Sequence, residues 1–128
     1  MGSALISVRT YCEEAKDYKV KTAFWSRSAG IKLLQYYNTL PLALGLVSLG
    51  GIGIIGETID KCEIIENEPP VENLGKYAEH DCMDFVECKY LFVADVSAWF
   101  MEYQFNAEHK KEYVRLDYVI AHINKILS

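Results

Sequence analysis

From Ile31 to Ile55 the chain reads IKLLQYYNTLPLALGLVSLGGIGII, with Lys32 as its one charge. No other segment restricts the choice of fold as much. As a helix it would reach roughly 37 Å at about 1.5 Å per residue. A hydrocarbon core is about 30 Å thick, so the run is long enough to cross it with some tilt. Pro41 and the five glycines Gly45, Gly50, Gly51, Gly53 and Gly56 argue against a helix in water. Each interior glycine costs about 1 kcal/mol there relative to alanine. In lipid the backbone has no water to bond, so a helix tolerates both residue types. The sequence therefore predicts an all-α chain with a single transmembrane helix over residues 31–56.

Charge placement agrees with that expectation. Up to Lys32 there are six basic and three acidic residues; from Glu57 onward there are fifteen acidic and seven basic. A basic flank, an uncharged run and an acidic flank is the positive-inside pattern. Trp25, Tyr36 and Tyr37 stand where membrane-interface anchors belong. Gly45, Ser48 and Gly51 recur every third residue, as do Gly50, Gly53 and Gly56. Small residues on one side admit a neighbouring helix, so these six form the expected helix-packing interface.

The flanking segments read as amphipathic helices, residues 1–30 before the span and an acidic 57–128 after it. A helix is expected over Thr10–Lys21, and a short helical extension to Glu66 before the Pro69-Pro70 loop. Phe85, Cys88, Phe92, Val96, Trp99 and Tyr103 are spaced by three or four, as are Tyr113, Leu116, Ile120, Ile123 and Leu127. Both are amphipathic-helix periods, with Asn106 as the break between them. Tyr90–Val96 also has strand composition. Phe92, Trp99 and Tyr103 form the expected partner-docking face.

Few residues point to chemistry. A net charge of −5 without a Lys/Arg tract argues against nucleic-acid binding. Gly51–Gly56 matches GxGxxG, but the acidic residue about twenty positions on, Glu72, falls in a Pro-rich loop, and close packing is the preferred reading. His80, Cys82 and Cys88 lie close together without a CxxC pair, which does not make a zinc site. A Cys62–Cys82 disulfide would need an oxidising compartment. Asp81, Asp84 and Glu87 suit a helix N-terminus better than acid–base work. His109 and His122 read as solvated or capping. No catalytic residue, cofactor, metal or small-molecule substrate is expected. Glu13, Glu14 and Asp17 make the N-terminal stretch unlike a secretory signal or a cleaved presequence.

The basic flank Lys16–Lys32, the uncharged Leu33–Ile55, the acidic tail from Glu57 and the stretches Asp84–Tyr103 and Tyr113–Leu127 together resemble small single-pass accessory subunits of mitochondrial inner-membrane complexes, such as the respiratory enzymes or ATP synthase. The similarity is one of architecture over most of the chain. It implies a non-catalytic assembly subunit in the lipid bilayer, bound to other subunits of the complex, with its N-terminus in the matrix. The alternative is a soluble α-helical interaction or regulatory domain, with the run buried and broken at Gly50-Gly51.

Overall fold

The computed structural model describes residues 4–25, 30–79, 86 and 88–127. Ala4–Cys12 (β1) and Asp17–Trp25 (β2) form an antiparallel hairpin paired along its whole length, Ala4 opposite Trp25 and Cys12 opposite Asp17. Cys88–Val93 (β6) and Ala98–Tyr103 (β7) form a second hairpin. The two turns are alike: Lys16 N–H bonds back to Glu13 and Ser97 N–H to Ala94, with φ of 52° at Lys16 and 50° at Ser97. β6 lies parallel to β1, with Ala4 beside Cys88. The hairpins thus share the centre of one mixed sheet.

Short strands extend the sheet on each side. Beyond β2 lie Ile52–Ile54 (β3) and Glu63–Ile64 (β4) at one end, and Val71–Leu74 (β5) at the other; beyond β7 lies Glu112–Arg115 (β8). The order is β4-β3-β2-β1-β6-β7-β8, with β5 also on β2. Ile31–Tyr36 (α1), Leu40–Val47 (α2) and Leu116–Leu127 (α3) cover one face. Their Leu33, Tyr37, Ala43, Leu46, Val47 and Leu116 bury Ala4, Ile6, Val8, Trp25, Tyr90, Phe92 and Trp99. On the opposite face Ala78 and Val86 close over Leu5, Val20 and Phe24.

The architecture is mostly β and corrects the all-α expectation. Among the described residues no helix is long and apolar enough to cross a membrane. The apolar run bends three times instead. α1 stops at Tyr37, Pro41 sits in the first turn of α2, and Gly50 at φ 83° ends that helix ahead of β3. Proline suits a first helical turn, where its missing N–H has no partner to lose. The membrane-anchor role falls with the span: Trp25 and Tyr37 are core residues, 2% and 0% exposed, and half-buried Tyr36 packs beside them.

The helix expected over Thr10–Lys21 is the β1–β2 hairpin. The extension toward Glu66 is a single 3₁₀ turn at Ile59–Lys61 followed by β4. The helix expected over Asp84–Tyr103 is the β6–β7 hairpin, Phe85 lying outside the described residues. α3 falls within the helix expected over Tyr113–Leu127, although Tyr113 itself belongs to β8; α1 and α2 are two short pieces of the helix expected over residues 31–56.

The reason lies in the spacing. Cys88 and Phe92, like Trp99 and Tyr103, are four apart, which puts them on one side of a helix and equally on one side of a strand. Strands buried on both faces also lose the alternation that would announce them. β1 begins with five buried residues in a row, and Tyr90–Val93 are all buried.

Candidate functional site

The two edges of the sheet are built differently, and each gathers charge. At the β4 edge the glycines let residues 57–68 approach closely. Gly51 N–H donates to the Glu68 carbonyl at 2.7 Å, and Ile65 N–H to the Gly51 carbonyl at 2.8 Å. A Cβ would collide with the Glu68 carbonyl at Gly50, with the Glu68 side chain at Gly51, with the Lys61 backbone at Gly56 and with Ile59 at Gly45. These four glycines therefore serve contact with a ribbon of the same chain and not with a partner helix. Gly53 has room for a Cβ, and Ser48 spends its hydroxyl on the Leu44 carbonyl at 2.7 Å.

A side-chain latch holds the ribbon to the core. The Tyr37 hydroxyl donates to the Gly56 carbonyl at 2.6 Å, and Gly56 N–H donates to Cys62 Sγ at 3.3 Å. Trp99 Nε1–H donates to the Tyr37 carbonyl at 2.8 Å. Burial, then the contact with Cys62, pushes the Tyr37 phenol well above its ordinary range, so the hydroxyl stays a donor. The ribbon carries Glu57, Asp60, Glu63, Glu66 and Glu68, all exposed, against Lys61. That balance of −4 is most of the chain's −5. The Thr58 hydroxyl holds the Asp60 carboxyl below its usual range. Among the described residues none of the five carboxylates has an ion-pair partner.

At the β8 edge, on the face away from the helices, lies an open cleft of about 390 Å³. It is lined by Tyr77, Ala78, Lys89, Glu102, Lys111, Glu112 and Tyr113. Strand register explains the set. Tyr113 pairs with Glu102 across β7 and β8, so both point to this face. Lys89 reaches Glu102 from β6, Nζ to Oε1 at 3.8 Å, both side chains about a quarter exposed. Tyr77 stacks on Tyr113 with centroids 5.1 Å apart and planes at 10°. Tyr77 is 52% exposed.

Burial, then the Glu102 charge, pushes the Tyr113 phenol up to about 12, while Arg9 pulls the other way. Tyr113 is therefore a neutral donor at every physiological pH. Arg9 lies nearby on the same face. Its Nη1 donates to the Lys76 carbonyl at 3.1 Å, and its guanidinium stands 4.8 Å from the Tyr18 ring centroid. Among the described residues its buried Nε has no acceptor.

The expected docking face does not form. Phe92 and Trp99 are 0% and 1% exposed in the core, in edge-to-face contact with each other at 5.3 Å. Tyr103 meets Phe105 and His122. The GxGxxG stretch follows a helix and contains β3, so the strand–turn–helix context of a dinucleotide site is missing. Among the described residues Cys12, Cys62 and Cys88 form no disulfide with one another. His109 is held by Asn106, whose side chain also caps the backbone of Glu108 and His109. Among the described residues no three His, Cys, Asp or Glu gather as metal ligands; His80, Asp81, Cys82, Asp84 and Glu87 lie outside those residues.

Sequence reasoning missed Tyr77, Lys89, Glu102, Lys111 and Tyr113. The available signal was Lys89 and Glu102, lone charges in otherwise apolar and aromatic stretches. Comparisons with protein-family models, curated proteins and solved structures found no match.

Proposed function

We propose that this chain is a non-catalytic interaction domain that docks a segment of a partner polypeptide in the cleft between Tyr77, Lys89, Glu102 and Tyr113. One observation carries the reading: a half-exposed tyrosine stacked on a second tyrosine beside a partly desolvated ion pair. Aromatic anchors next to desolvated charge are what protein interfaces concentrate their energy in. The acidic ribbon at the opposite edge makes the molecule's field asymmetric, which orients a charged partner before contact.

Panning a random peptide-display library on the wild-type protein tests this. Selected peptides should lose at least tenfold in affinity for Tyr77→Ala, a surface change that leaves the core intact. Clones that bind that variant as tightly as wild type would contradict the proposal. A second reading rests on the cleft volume of 390 Å³, which falls within the range of small-molecule pockets, about 300–1,000 Å³. A fragment screen by thermal shift, repeated on Tyr77→Ala, checks it.

A further inference from the structure

The docking cleft is lined by two lysines and two glutamates, and Lys89 and Glu102 are already paired with each other. Glu102 is held by Lys89. Glu112 opens β8 at the cleft's exposed rim. The cations are less committed. At 3.8 Å the Lys89 ammonium has a loose contact with one carboxylate oxygen, and an ammonium carries three donors. Lys111, exposed at the rim, has no ion-pair partner among the described residues. Arg9 has a carbonyl and a ring for neighbours, but no carboxylate partner among those residues. A partly buried guanidinium without a counter-charge is costly, and an anion near it repays part of that cost. The Tyr113 hydroxyl adds a neutral donor in the same cleft.

Resting on the docking reading above, we infer that the group this cleft takes is a carboxylate, presented by an acidic segment of the partner with an aromatic residue beside it. The carboxylate sits between the Lys89 and Lys111 ammoniums and the Tyr113 hydroxyl. The aromatic ring extends the Tyr77–Tyr113 stack on the exposed side of Tyr77, where offset stacking continues the nearly parallel pair. The field of Arg9 favours the anion from behind the cleft wall.

The test uses three capped peptides, Glu-Tyr-Glu, Gln-Tyr-Gln and Lys-Tyr-Lys, titrated into the full chain and followed by amide chemical shifts. The acidic peptide should bind at least tenfold tighter than the neutral one, and the basic one should bind weakest. Lys111→Glu, a rim change that keeps the fold, should cost the acidic peptide at least tenfold and leave the neutral one nearly unchanged. Added salt should weaken the acidic peptide most. Preference for the neutral or basic peptide overturns the inference, as does an acidic affinity that ignores Lys111→Glu, or no binding of any of the three. A neutral or basic peptide that binds wild type and is lost in Tyr77→Ala would leave the docking reading standing while removing the carboxylate.

Discussion

The β4 edge and the β8 edge of the sheet both gather charge, yet they hold it by opposite means. At the β4 edge main chain meets main chain: Gly50, Gly51 and Gly56 let the acidic ribbon press against the apolar run, and Tyr37 and Cys62 fasten it. At the β8 edge side chains do the work, with Tyr77 lying on Tyr113 over the Lys89–Glu102 pair. The first arrangement has little space to yield, because a Cβ at Gly50 or Gly56 must displace backbone and one at Gly51 must displace the Glu68 side chain. The second is open and half-solvated, so it can change occupant without changing the fold. Close backbone contact makes a rigid edge, and stacked side chains around a cleft make an adaptable one.

The sharpest way to break this contrast is substitution at the rigid edge. Gly51→Leu drives a side chain into Glu68, and we expect a loss of about 3 kcal/mol or more, or no folded protein, in chemical denaturation. The surface change Lys111→Glu should stay within about 0.5 kcal/mol in the same assay. Equal losses would erase the distinction between the edges.

A smaller effect is expected from Tyr37→Phe, which leaves the Gly56 carbonyl without its hydroxyl donor. The loss should be on the order of 1 kcal/mol, with faster amide exchange along residues 56–62. The corresponding Tyr77→Phe should not measurably change stability, since among the described residues Tyr77 is held by its ring stacking on Tyr113, which phenylalanine keeps.

Alkaline pH separates the edges next. An unfolded tyrosine ionises near about 10. The folded phenols of Tyr37 and Tyr113 ionise higher, Tyr113 at about 12. The folded state then holds more protons than the unfolded state above about pH 10, so stability falls as pH rises through that window and is fully present below it. Tyr113→Phe should flatten part of the slope and Tyr37→Phe a further part at higher pH, while Tyr90, whose phenol burial also raises, keeps the rest. Stability rising above pH 10 would reverse the assignment.

The smallest effect belongs to the ribbon's charge. Glu63→Lys with Glu66→Lys should change stability by no more than about 0.5 kcal/mol, because both are exposed and neither has an ion-pair partner among the described residues. Affinity of the cleft for an acidic peptide should rise by less than tenfold, an effect abolished by salt.

How much of this was legible in the sequence follows from the same contrast. The glycines of residues 45–56 were visible as a demand for close approach, but composition could not say what approaches. An apolar run with a basic and an acidic flank satisfies a bilayer as well as it satisfies a buried α1–α2 pair with a turn at Gly50. The hairpins were hidden because their turns place Lys16 and Ser97, not glycine or asparagine, at positive φ. Their spacings of four fit helix and strand alike. α3 was readable because Leu116, Ile120 and Ile123 keep helical spacings of four and three, with Leu116, Val119 and Ile120 turned inward over its first turn. The cleft was not readable, since Tyr77, Lys89, Glu102 and Tyr113 come from four separate segments and meet only through the β6–β7–β8 register.

The most direct single measurement is an amide chemical-shift map of the isotopically labelled chain on addition of capped Glu-Tyr-Glu. The largest shifts should fall at residues 77–78, 89, 102 and 111–113, with the ribbon at 57–68 unmoved. Shifts centred on the ribbon and the glycine run, with the tyrosine cleft silent, would show that the open edge is not where this protein binds.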